Sequence, residues 1–160
     1  MHATRNDMPL KLRSRIEKLL NARLADALDL AAQAKQAHWN VKGPNFIALH
    51  ELFDKLHDGV GGHVDALAER ITAIGGTARG TVQAVARAST LAAYPEDIIS
   101  GRDHLVALAD RLADFGAKTR AAIAASARLE DAGTSDLFTG ISRDIDQQLW
   151  LIEAHLQDNA

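Results

Sequence analysis

The stretch from Phe46 to Ile74, FIALHELFDKLHDGVGGHVDALAERITAI, decides how this chain folds. Placed on a helix with His50 at zero, its Leu49, Leu52, Phe53, Leu56, Val60, Val64, Leu67, Ile71 and Ile74 fall between about 200° and 320°. Asp54 falls at about 40°, Asp65 at about 60° and Glu69 at about 100°. An apolar stripe therefore marks one face, while a stripe of imidazole and carboxylate looks largely the other way. A helix built like this must bury its apolar side against other helices.

The rest of the chain supplies them. Hydrophobic residues make up 47% of the 160 residues but aromatics only 4%, so Ala and Leu carry the apolar share. Both are strong helix formers, whereas a sheet protein draws more on Val, Ile, Thr and aromatics. A first helix is expected from Pro9 to Asn40, with Leu10, Leu19, Leu20, Leu24, Leu28 and Leu30 recurring near helical spacing. Lys42-Gly43-Pro44-Asn45 breaks it. The second helix stops at Gly75-Gly76. A third is expected to begin at Pro95-Glu96-Asp97, with Pro in the first turn and acids at the positive end of the dipole, and to reach Arg128. A fourth runs from Asp131–Ser135 to about Gln157. The connection from Gly76 to Tyr94, about 18 residues, is long for a compact bundle, and Thr81 to Ala88 within it suits a short extra helix. One crossover of this kind must travel the length of the bundle.

The expectation is thus an all-α single domain over 1–160, with 1–8 as a short N-terminal tail. The formal charge of −3 does not suggest a protein built around nucleic acid, and with no cysteine there is neither a disulfide nor a thiolate metal site. No apolar run approaches the roughly 20 residues of a bilayer span, and the N-terminus lacks a signal-peptide core. A cytoplasmic protein without membrane partners is expected.

The polar stripe of the second helix carries the chemistry. Any one of its residues taken alone is more often plain solvated surface. Their pairing argues for more. His50 and Asp54 are one turn apart, as are Asp65 and Glu69, and the pairs are separated by about 16 to 22 Å of helix rise. One helix cannot bring both pairs to one metal. Two antiparallel copies about a two-fold axis can, because His50 then lies opposite Glu69 and Asp54 opposite Asp65. The axis passes near Gly59-Val60-Gly61-Gly62, and close approach of two backbones is a reason to tolerate glycines that each cost about 1 kcal/mol against Ala. The geometry expects an isologous dimer with two equivalent sites. Imidazole with several carboxylates suits iron, manganese or zinc better than copper(I). His38, at the end of the first helix, reads equally as a cap complementing the dipole or as a further ligand.

The run His38-Trp39-Asn40-Val41-Lys42-Gly43-Pro44-Asn45-Phe46, followed by Leu49-His50-Glu51, Asp54, Asp65 and Ala68-Glu69-Arg70, strongly resembles the Dps family, mini-ferritins named for DNA protection in starved cells. The likeness extends through Gly75-Gly76 to Ser142-Arg143-Asp144 and Leu149-Trp150. It implies a ferritin-like four-helix bundle with a short extra helix between helices 2 and 3, assembled as a shell of twelve subunits built from two-fold dimers. It implies a ferroxidase whose ligands are His38, His50 and Asp54 from one subunit with Asp65 and Glu69 from its neighbour. It further implies Fe(II)/Fe(III) as the metal, hydrogen peroxide as the oxidant, and ferric mineral stored in the shell against oxidative damage. Ordinary ferritins instead place Glu-x-x-His pairs inside one bundle, and no Glu here is followed by His three positions later.

Around this set, His57 and Asp58 lie beside the ligands and read either as groups supporting them or as interface polar residues. His63, at the edge of the apolar stripe, reads as structural. Trp39 reads as packing first, with a possible part in absorbing stray oxidising equivalents. Asp110 and Asp114, one turn apart, either line an acidic pore at a three-fold axis or form a solvated acidic face, the commoner case. A DNA-compacting protein with secondary iron chemistry, placed on the nucleoid, is the alternative function. The short tail, with Arg5 its one clear cation and Lys11, Arg13 and Arg15 expected on the helix, speaks for weak DNA binding at physiological salt. A plain helical oligomer whose acidic interface holds zinc is a third reading.

Overall fold

A computed structural model describes residues 1–157. Among them the chain forms five helices and no β-strand: α1 (Leu10–Asn40), α2 (Phe46–Ala73), α3 (Val82–Ala88), α4 (Gly101–Arg128) and α5 (Ala132–Glu153). This is the expected four-helix bundle, with α3 as the short extra helix. α1 and α2 form one antiparallel hairpin, α4 and α5 the other. Gly43, at φ +116°, turns the first hairpin, a conformation that only glycine adopts without strain.

α2 stops where the sequence says it should. Gly75 sits at φ +82°, its N–H donates to the Thr72 carbonyl at 2.9 Å, and Gly76 N–H reaches back to Ile71 at 2.8 Å. These two bonds satisfy carbonyls that the helix end would leave bare. A Cβ on Gly76 would lie 2.8 Å from the Ile71 side chain and 2.9 Å from that of Glu17, so the chain turns tightly against α1 here.

The crossover then returns along the bundle. Lys42 N–H, in the α1–α2 turn, donates to the Ile99 carbonyl at 3.0 Å just before α4 begins. This connection has little backbone ladder of its own, so polar side chains on α1 hold it. Glu17 accepts from Thr77 N–H at 3.0 Å, and Asn21 bonds the carbonyl of Thr77 and the N–H of Arg79. Asp26, fully buried, accepts from Thr90 N–H at 2.7 Å and pairs with Arg23. Gln33 donates to Ala92 at 3.1 Å. Buried polar groups on α1 are therefore not defects in the core but the anchors of the crossover.

Two helix ends differ from expectation. α4 starts at Gly101 rather than at Pro95, because Ser100 caps it: its Oγ accepts from Asp103 N–H at 3.1 Å and donates to the Asp103 carboxylate at 2.7 Å. α5 begins as expected, behind Asp131, whose carboxylate accepts from Thr134 N–H at 3.0 Å, but the helix ends at Glu153, short of Gln157.

The core lies between the hairpins, around Leu20, Leu24, Phe53, Leu56, Leu67, Phe115, Phe138 and Ile145. Of the apolar stripe on α2, Leu49, Phe53, Leu56, Val60, Leu67, Ile71 and Ile74 are buried, and Leu52 and Val64 partly so. Burying each such Leu, Ile or Phe contributes about 1.5–3 kcal/mol, which outweighs the cost of the three helix glycines. No helix of the described residues is long and apolar enough to cross a membrane.

Candidate metal centre

The α1–α2 hairpin sets the last turn of α1 against the first half of α2. His38 and His50 meet there with ring centroids 3.6 Å apart and planes within 22°. Each ring is fixed by the other residue's backbone: His38 Nδ1–H donates to the His50 carbonyl at 2.7 Å, and His50 Nδ1–H to the His38 carbonyl at 2.8 Å. Such a bond selects the tautomer, leaving the lone pair on Nε2 of both rings. Neither Nε2 makes a hydrogen bond among the described residues. His38 stands in the last turn of α1, and both imidazoles, oriented by backbone carbonyls, keep an Nε2 of the kind a metal ligand needs.

Asp54, one turn beyond His50, lies 3.9 Å from His38 Nδ1 and is engaged by Lys35 in an ion pair. The hydrogen bond from Lys35 is the chief cause that holds the Asp54 carboxyl below its ordinary range, against the opposing effect of desolvation; the charges of Lys35, His38 and His57 add to it. Lys35 was not singled out from the sequence. Its only sequence signal is its position one turn before His38, which places it on the same face of α1.

His57 Nδ1–H donates to the Ala31 carbonyl at 3.0 Å, tying α2 to α1, while Asp58 is exposed. His63 is half-buried, 3.5 Å from Asp144, and burial lowers its pKa more than that carboxylate raises it. Trp39 is 66% exposed, so on its own subunit it does not serve as packing.

The pair of carboxylates, Asp65 with Glu69, is elsewhere. Asp65 and Glu69 are exposed, and their side chains make no hydrogen bond or ion pair among the described residues. Arg70, beside Glu69, turns away to Thr134 at 3.0 Å and Asp131 at 2.8 Å, fixing α2 to the start of α5. The fold thus brings His38, His50 and Asp54 together and leaves Asp65 and Glu69 apart from them. Among the described residues, no three of His, Cys, Asp and Glu converge closely enough to hold a metal ion. On α4, Asp110 is exposed 4.0 Å from Arg111, and Asp114 is paired with Lys118 at 2.6 Å.

A family model described as a ferritin-like domain matches residues 17–160. The DNA protection during starvation protein of Agrobacterium fabrum is 46% identical over 99% of this chain and 98% of its own. The chain belongs to the Dps family. The structure of Mycobacterium smegmatis Dps superposes with a TM-score of 0.93 at 31% identity, covering 99% of this chain and 95% of that one. A Dps of Microbacterium arborescens, solved in a high-iron form, has a TM-score of 0.87 at 29% identity, covering 94% and 97%. This Dps-family chain therefore has the ferritin-like fold that its His38–Phe46 and Leu49–Arg70 motifs implied.

Proposed function

We propose that the chain is an iron-oxidising, iron-storing mini-ferritin whose sites form between two copies. His38, His50 and Asp54 of one copy meet Asp65 and Glu69 of the other. The observation that carries this reading is the reciprocal pair of His38 and His50 hydrogen bonds, which commits both Nε2 lone pairs to a ligand that one chain does not complete. The unpartnered Asp65 and Glu69 supply the missing anionic charge in a two-fold pairing. The glycines near the axis fit as well: a Cβ at Gly61 or Gly62 would meet nothing within 4 Å in its own chain, so nothing inside the subunit explains them.

Iron is the substrate. The two imidazoles give borderline nitrogen donors and the carboxylates give hard oxygen donors, a set that accepts both ferrous and ferric ions. Lys35 further favours the ionised form of Asp54. Hydrogen peroxide is the oxidant: two Fe(II) give one electron each, and peroxide with two protons becomes two waters. Both Fenton reactants are consumed together, and ferric product is stored in a hollow dodecameric shell in the cytoplasm.

The DNA-compacting alternative is weakened by the tail. His2 N–H donates to the Gly75 carbonyl, and Arg13 is buried, bonding Met8 at 2.9 Å and Ile74 at 3.1 Å. The N-terminal segment lies along the end of α2 rather than standing free, and Arg13 is spent on holding it. Anaerobic Fe(II) loading followed by peroxide, with ferric absorbance recorded, tests the reading. An Asp54→Ala, Glu69→Ala protein is expected to lose about a hundredfold or more in rate, beyond the 10–100-fold typical of losing only a supporting partner. Equal rates in both proteins would refute it.

A further inference from the structure

Tyr94 is the chain's only tyrosine, and it lies in the crossover outside the ligand cluster. Its hydroxyl oxygen is 2.6 Å from His104 Nδ1, and the two rings stack at 15° with centroids 6.0 Å apart. His104 is 1% exposed, and burial favours its neutral form over the opposing pull of Asp103 and the Asn40 carbonyl. A neutral imidazole carries one N–H. Nε2 makes no hydrogen bond among the described residues, so the contact with Tyr94 is the ring's one polar bond there, and we assign the hydrogen to Nε2. The lone pair is then on Nδ1, and Tyr94 donates.

This arrangement is costly for a purely structural contact. An imidazole is buried with one nitrogen poorly satisfied, which burial penalises. A phenol bonded to a buried neutral base has a definite chemistry, however: it gives up an electron readily because its proton can leave at the same time. The pair also packs against the helix that carries His50 and Asp54. The His104 ring lies 6.3 Å from that of Phe53, which immediately precedes Asp54, and Asn40 is two residues beyond His38.

We propose that Tyr94 and His104 form a proton-coupled electron donor that quenches stray one-electron oxidants arising beside the iron centre. The proposal rests on the ferroxidase reading for its source of oxidant, hydroxyl radical formed when a single Fe(II) reduces peroxide. Tyr94 gives one electron, its hydroxyl proton passes to His104 Nδ1, and hydroxyl radical with that electron and a solvent proton becomes water. A further Fe(II) then returns one electron to the tyrosyl oxygen, His104 returns the proton, and the net product is Fe(III). The pair is restored.

The test gives limiting peroxide to the Fe(II)-loaded assembly, freeze-quenches it for electron paramagnetic resonance, and follows ferric absorbance in the same samples. A tyrosyl signal is expected, and with one tyrosine in the chain only Tyr94 can give it. Tyr94→Phe should lose the signal with ferric formation unchanged. A tryptophanyl radical alone, or none, beside normal ferric formation overturns the pair and leaves the ferroxidase reading standing. Failure of ferric formation in the unaltered protein breaks that reading instead, and the pair is then judged on iron-free protein with hydroxyl radical made by pulse radiolysis. A tyrosyl yield that falls several-fold in His104→Gln supports it there; equal yields overturn it. Where His104→Gln folds poorly, slower tyrosyl formation in deuterated solvent reads the same proton transfer, and an unchanged rate overturns it.

Discussion

The two halves of α2 carry the same kinds of residue in opposite conditions. In the first half, His50 is locked to His38 through two backbone bonds, and Asp54 is held by Lys35. In the second, Asp65 and Glu69 project without a partner, although Arg70 beside them is firmly anchored. Both halves belong to one unbroken helix, Phe46–Ala73, so the difference is not one of secondary structure. It lies in what the single chain completes. Oriented imidazoles at one end and unspent carboxylates at the other are the arrangement that the proposed sharing of a site between two copies requires.

The most disruptive way to break this comparison is to block the approach of the second copy. Gly61→Val with Gly62→Val places each new Cβ where no atom of its own chain lies within 4 Å, so helix content by circular dichroism should be kept. Light scattering should show the assembly falling apart, and iron oxidation should fall with it by about a hundredfold, as for loss of ligands. Intact assembly would mean that the glycine segment is not at the two-fold axis.

A smaller effect sharpens the contrast. Lys35→Gln should make Asp54 resemble the carboxylates of the second half. Because Lys35 holds the Asp54 carboxyl below its ordinary range, removing it should let Asp54 take up a proton at higher pH, as carbon NMR of the side chain would show. No change in that titration would mean that Lys35 does not govern the site.

The smallest effect concerns what backs the first half. His104, behind Phe53, has its pKa lowered by burial. The unfolded chain then binds more protons than the folded one between the lowered value and the ordinary value of about 6.5. The stability from keeping His104 neutral is therefore full above about pH 6.5 and is lost as pH falls through the folded-state value. Hydrogen exchange should show amides near Phe53 and His104 losing protection on acidification ahead of those near Ile71, which lies away from both His104 and His63. Uniform loss along α2 would contradict this.

How much of this was legible follows from which interactions are local. The stripe on α2 was, because its period of 3.6 sorts core from polar face within one helix. The split between the His50–Asp54 and Asp65–Glu69 pairs was legible too, since helix rise alone separates them. The start of α4 was misread: Pro95-Glu96-Asp97 carries the composition of a helix start, but Ser100 with Asp103 makes the actual cap, a three-residue spacing present in the sequence and overlooked. Arg13 lies on the first helix as expected, but its burial was not legible, since its partners Met8 and Ile74 meet only through tertiary folding. The same holds for Lys35 with Asp54 and for Tyr94 with His104, contacts between elements that no periodicity encodes.

The most direct test of the shared site is complementation. Asp54→Ala and Glu69→Ala subunits, each inactive as a pure assembly, are dissociated, mixed in equal amounts and reassembled. A mixed pair then holds one site with both defects and one with neither, so random pairing restores about one site in four. Peroxide-driven iron oxidation at about a quarter of the unaltered rate per subunit is the predicted result. Reassembled mixtures as inactive as their parents would contradict the account, because a site confined to one chain cannot be rescued by another.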